Sequence, residues 1–229
     1  MSRNAKVSVG LIALFMTVVA VIALASGRKD AKDSDRAAAA PPMAATTSDR
    51  PLPRVVNSDP RQLGKAGRTG VTFTEFLDFE CEGCRAAFPA IEELRKTYAG
   101  RVTFNIRYFP IPSHRNSRVA AVAVEAAAQQ DKLEPMYRKM YETQSEWGEK
   151  SDSQAAVFRD FANDLGLNMP RFDAAVADPA TLRRVEADYT AGTALGVQGT
   201  PTFFINERKI NPQSLEELQN EIDVALQGS

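Results

Sequence analysis

Cysteine and histidine are scarce in this chain, with two and one respectively among 229 residues. A fold stapled by structural disulfides carries more cysteines at wider spacings. A protein zinc site takes about four ligands from Cys, His or carboxylate. Here the lone His114 lies far along the chain from Cys84, so neither a metal nor any other cofactor is expected. Charge of one sign is missing too: 28 Lys and Arg stand against 29 Asp and Glu, a net charge of −1. Nucleic-acid binders show a basic excess in clusters, so nucleic acid is excluded as a partner. There is no internal repeat, and the single tryptophan, Trp147, is assigned to packing.

Long apolar runs are limited to one. Val7 to Ser26 reads VSVGLIALFMTVVAVIALAS without a charge, the length that spans a bilayer core as a helix. Residues 1–29 are therefore expected to be an N-terminal signal anchor. Ala23-Leu24-Ala25 also fits a small-x-small cleavage pattern, which leaves a cleaved signal peptide as the alternative. Arg3 and Lys6 precede the run, and Arg28, Lys29, Lys32 and Arg36 follow it. Taken literally that balance holds the following domain inside; the linker and the chemistry below favour a single pass of the cell membrane with the domain outside. Residues 30–54 are rich in Ala, Pro, Ser, Thr and Asp, too polar to offset their ordering entropy, and are read as a flexible linker. Residues 55–229 form one domain.

Within it, VTFTEFLDF at residues 71–79 is strand-like, rich in β-branched and aromatic residues. Phe88, Ile91, Leu94 and Tyr98 recur at helical spacing from Cys84 to Ala99, and Gly100 stands where a helix-ending glycine belongs. Val102 to Tyr108 alternates as a second strand. A helical block of about 80 residues, 113–196, follows. It contains segments from Ser117 to Gln130, Leu133 to Thr143 and Ser153 to Leu165, and one capped by Asp178 before Pro179. Thr202 to Ile205 is a strand with a short return near Lys209-Ile210, and Ser214 with Glu217 forms a capping box for a last helix. The class is α/β: β-α-β, the helical block, then β-β-α.

Cys81-Glu82-Gly83-Cys84 places a CxxC between strand and helix. Only a thiolate attacks a disulfide, and a helix N-terminus stabilises an anion through free N–H groups and the dipole. Cys81 is expected to be the exposed nucleophile and Cys84 the resolving thiol. A bare structural bridge would stabilise little across so short a loop; half of a metal site shared between chains is the other alternative.

From residue 71 to the C-terminus the sequence resembles the DsbA-like thioredoxin-fold oxidoreductases of bacterial envelopes, especially the membrane-anchored type of Gram-positive bacteria. The matching residues are Leu77-Asp78-Phe79-Glu80-Cys81-Glu82-Gly83-Cys84, the helix proline Pro89, and Gly199-Thr200-Pro201-Thr202-Phe203-Phe204-Ile205-Asn206. The resemblance implies a thioredoxin fold with an inserted helical block. It makes Pro201 a cis-proline beside the cysteine pair and Thr200 a binding residue for extended substrate. It also implies a buried acid at Glu75, in phase with Phe73, Leu77 and Phe79, where burial raises the pKa and allows proton relay to Cys84. Asp78 falls on the opposite side of the strand and receives no role.

The function so implied is disulfide formation in reduced or unfolded exported proteins by a monomer. A DsbB-like or VKOR-like membrane partner would recycle it. The dipeptide Glu82-Gly83 tunes the pair, and it departs from the histidine that strong oxidants of the family carry there. Glu80 and Glu82 are expected to destabilise the Cys81 thiolate and make the disulfide less oxidising, with Arg85 an offset. That keeps a reductase or isomerase of the same fold open. A tethered metal carrier or chaperone is the alternative of another class. His114 is read as a loop or capping residue, with a role near the site as the alternative.

Overall fold

A computed structural model describes residues 53–229. The anchor and nearly all of the linker read from the sequence lie outside these residues. Among the described residues no helix is long and apolar enough to cross a membrane.

Strand β1 (Arg61–Leu63) is followed by β2 (Thr72–Leu77), α1 (Glu82–Thr97) and β3 (Thr103–Tyr108). The helical block is α2 (Ser117–Ala128), α3 (Leu133–Glu142), α4 (Gln144–Trp147), α5 (Ala155–Asp164), α6 (Met169–Ala177) and α7 (Pro179–Ala194). Strands β4 (Thr202–Ile205) and β5 (Arg208–Ile210) and helix α8 (Leu215–Gln227) close the chain. The five strands order as β1-β3-β2-β4-β5. Strands β2 and β3 are parallel, as a β-α-β unit requires, and the other pairs are antiparallel.

β2 is the central strand and is covered on both faces. Phe73 and Leu77 belong to a large apolar cluster with Ile91 and Leu94 of α1, Ile106 of β3 and Phe203 of β4. Phe76 belongs to a second cluster with Val55, Phe109, Val197 and Phe204. Successive residues of a strand face opposite ways, so two apolar layers grip this one strand. Glu75 pairs in register with Ile106 and Phe203, and so lies among the residues of the larger layer.

The second layer also holds a buried charge network. Arg107 Nε donates to Asp188 at 2.6 Å, and both side chains are almost fully buried. Asp188 also accepts from the Tyr108 backbone at 3.2 Å and pairs with Arg184 at 2.8 Å. Arg107 donates onward to the carbonyls of Arg54 and Val55, which fastens the start of the described chain onto the sheet. Removing one member of such a pair strands an uncompensated charge.

Several helix ends lie where their signals stand. Gly100, Gly166 and Gly196 follow α1, α5 and α7 with positive φ, the left-handed conformation that a glycine adopts freely. Asp178 accepts from Ala180 N–H and caps α7, and Ser214 accepts from Glu217 N–H at 3.1 Å. The carboxylate of Glu217 reaches back to Gln213 N–H at 2.6 Å, one residue before the cap. Three elements were not expected: β1, the short α4 and α6. The first pairs with β3 through only three residues, and α6 buries only Phe172. Neither leaves a periodic apolar signature.

Candidate active site

The site lies at the carboxyl end of the central strand, the usual ligand position in an α/β sheet. Cys81 is the N-cap of α1 and is half-buried, whereas Cys84, inside the first turn, is 1% exposed. The Thr200–Pro201 peptide is cis and brings the chain before β4 against the pair. Cys81 Sγ lies 3.3 Å from the Thr200 carbonyl oxygen. The Thr200 hydroxyl is buried without a hydrogen-bond partner. Gly83 fills the narrow space between: a Cβ there would stand 3.3 Å from Pro201 Cδ and 3.5 Å from Cys81 Sγ.

These contacts separate the two thiols electrostatically. The Cys84 thiol, as donor to Cys81 Sγ, is the largest influence that lowers the Cys81 pKa, which falls from 9.0 to about 5. Burial opposes this. The N–H groups of Cys84 and Gly83 add to the lowering. Such a thiol is about 99% ionised at pH 7. Cys84 moves the other way, well above its ordinary value, because burial, its bond to Cys81 and the charge of Glu75 all oppose its anion. Glu75 itself is pushed up to about 8, first by burial and then by the Cys81 thiolate. The structure thus gathers Cys81, Cys84, Glu75, Thr200, Pro201, Glu82 and Gly83 around one turn.

The two acids expected to weigh on the thiolate are placed differently. Glu80 is buried, and its carboxylate turns away to accept from the N–H groups of Asn116 at 2.6 Å and Glu149 at 3.1 Å. Glu82 is exposed, where water and salt screen it.

Asp78, given no role by strand phase, is buried and accepts from three groups. Oδ1 takes Glu80 N–H at 2.9 Å, and Oδ2 takes Ile111 N–H at 3.0 Å and the His114 ring at 2.6 Å. Phase misleads here because both faces of β2 are covered, so side alone does not separate buried from solvated residues. Gln144 of α4 was missed as well. Its Nε2 donates to the carbonyls of Phe79 at 2.7 Å and Cys81 at 2.9 Å. Tyr141 donates its hydroxyl to the Asp78 carbonyl at 3.3 Å. The helical block therefore holds the Cys81–Cys84 turn by its backbone. Trp147 lies in the core and donates to Met140 O.

Beside Cys81 opens a cleft of about 510 Å³. Its walls are Cys81, Glu82 and Gly83 on one side, Ser113, His114 and Arg115 on a second, and Glu149, Lys150 and Ser151 on a third. Among the described residues the exposed large hydrophobics are Val176 and Val224, neither of them in this cleft.

A sequence profile described as thioredoxin matches residues 60–224. The chain is similar to a thioredoxin-like oxidoreductase from Silicibacter pomeroyi, with 23% identity, 79% of this chain and 99% of that one covered, and a TM-score of 0.65. It is also similar to oxidised BdbD from Bacillus subtilis, with 22% identity, 73% and 93% covered, and a TM-score of 0.64. These likenesses are of fold, and the helices inserted between the two halves of the sheet are part of it. Among curated proteins, the Na(+)/H(+) antiporter NhaA of Herminiimonas arsenicoxydans is 32% identical over 144 residues, 61% of this chain. The chain spans about a fifth of the length of the curated relatives it matches.

Proposed function

The chain belongs to the thioredoxin family, and on that premise we propose that it is a thiol–disulfide oxidoreductase that introduces disulfides into exported proteins. The observation that carries this is the placement of the two thiols: Cys81 half-exposed at the N-cap of α1 beside the Thr200–Pro201 peptide, and Cys84 buried inside the first turn, an arrangement that lowers the first thiol and raises the second. A stabilised thiolate favours the reduced enzyme and so makes its disulfide a stronger oxidant. Client thiolate attacks Cys81 Sγ, the Cys81–Cys84 bond breaks, and Cys84 leaves with the electron pair and is protonated. A second client thiolate then attacks the client sulfur of the mixed disulfide, and Cys81 leaves as a thiolate without needing a proton. Extended client backbone is placed beside Thr200 and Pro201. An oxidising compartment suits this chemistry, so we place the domain outside the cell membrane, held by residues 7–26 and recycled by a DsbB-like or VKOR-like membrane partner.

The oxidised protein, mixed with one equivalent of a reduced two-cysteine peptide, is expected to yield the peptide disulfide and free Cys81 and Cys84, read by mass. Peptide that keeps its thiols, with the enzyme still oxidised, would contradict the assignment.

A further inference from the structure

The oxidase cycle leaves one proton unassigned. The incoming client thiol must lose its proton before it can attack, and Glu75 is buried on the Cys84 side. A cysteine of ordinary pKa, about 8.5, is only about 3% ionised at pH 7. A base in the entry cleft would remove that deficit.

The single histidine of the chain lines this cleft together with Cys81. Its Nδ1 lies 2.6 Å from Asp78 Oδ2, and the Asp78 side chain is fully buried while the imidazole is one-third exposed. Asp78 accepts backbone N–H groups on both oxygens, so the ring donates Nδ1–H to it. That bond fixes the tautomer and leaves the Nε2 lone pair for the cleft. Other charged residues line the same cleft from each neighbouring element: Glu80 beside Asp78, Glu82 at the start of α1, Arg115 in the loop of His114, and Glu149 and Lys150 after α4. Behind the loop, Arg118, Glu186 and Tyr189 line the adjoining hollow that His114 shares. Glu80 is engaged with backbone donors, and Arg118 is paired with Glu186. Of these groups, His114 alone combines an imidazole nitrogen free to accept a proton with a carboxylate that orients the ring.

We propose that His114, positioned by Asp78, is the general base that accepts the proton of the incoming client thiol. The inference rests on the oxidase function above. The client S–H bond breaks and its proton passes to Nε2. The client sulfur forms a bond to Cys81 Sγ, the Cys81–Cys84 bond breaks, and its electron pair leaves on Cys84. The imidazolium then releases its proton to water.

The test compares the full-length oxidised wild type with His114→Gln in their reaction with a cysteine peptide from pH 6 to pH 10. The variant is expected to be slower by about 10- to 30-fold at pH 7, the ceiling set by the thiolate fraction, and equal to wild type at pH 10. With thionitrobenzoate, a thiol already ionised at pH 7, the two proteins are expected to react alike, which also controls for folding. The Cys81 titration in the reduced protein is expected to be unchanged. Equal rates with the peptide at every pH would overturn the proposal, as would a loss that persists at pH 10 or extends to thionitrobenzoate. A shifted Cys81 titration would show that the imidazole acts on the enzyme thiolate, and would overturn it too. If the wild type itself leaves the peptide reduced, the oxidase function falls and this role falls with it.

Discussion

Cys81→Ser is expected to abolish thiol–disulfide exchange, and Cys84→Ala to turn the protein into a trap. A serine hydroxyl forms no bond to sulfur in this chemistry, so the first variant is expected to react at the uncatalysed background. In the second, Cys81 still attacks a client disulfide, but no neighbouring thiol resolves the adduct. Mixed disulfides are expected to accumulate on non-reducing gels. The same variant removes the donor that contributes most to the low Cys81 pKa. Its thiolate absorbance is therefore expected to titrate above about 5, toward the ordinary 9.0. Exchange retained by Cys81→Ser, or adducts formed through Cys84, would reverse the assignment of nucleophile and resolving thiol.

Glu75→Gln is expected to stabilise the reduced protein while slowing it. The carboxyl has its folded value at about 8 against an ordinary 4.5, so the fold prefers it protonated. The resulting cost is absent below about pH 4.5, grows as pH rises toward 8, and is full above that. A neutral glutamine removes the cost. The variant is expected to exceed wild type by roughly 4 kcal/mol at pH 8, a rise in melting temperature of about 8–16 °C, and to match it near pH 4. Kinetically, the buried Cys84 leaves poorly as an anion, and on the function proposed above Glu75 would supply its proton during client oxidation. Loss of a positioned acid costs on the order of 100-fold, read by stopped-flow mixing of oxidised enzyme with peptide. A variant with wild-type rates, or one destabilised at pH 8, would remove Glu75 from the relay.

Much of this site is legible before folding because its residues sit in contiguous runs. Cys81 and Cys84 stand between a β-branched strand and an amphipathic helix, and Thr200 and Pro201 precede a compact apolar strand. The two runs lie far apart in sequence, and their meeting depends on β4 pairing antiparallel with β2. What was illegible is set by tertiary contacts. The charge of Glu80 reads as a neighbour of the thiolate, yet its carboxylate serves the backbone of Asn116 and Glu149. Gln144 reads as one polar residue among many in a helical block, yet it is buried and holds the carbonyls of Phe79 and Cys81. His114 reads as a loop residue, and only its distance to Asp78 gives it an orientation. Among the elements, β1 is too short to show alternation. Helix α6 is too exposed to show an apolar face, although Asn168 and Pro170 at its start carry the signal of a capped helix.

The account turns on the claim that stabilisation of the Cys81 thiolate makes the Cys81–Cys84 disulfide oxidising. Equilibration of the protein in graded glutathione buffers, with the reduced fraction read by mass, measures this directly. The account predicts a potential well above the thioredoxin value of about −270 mV, toward the −120 mV of the strong oxidant DsbA. A potential at or below about −270 mV would contradict it and assign the same site to reduction.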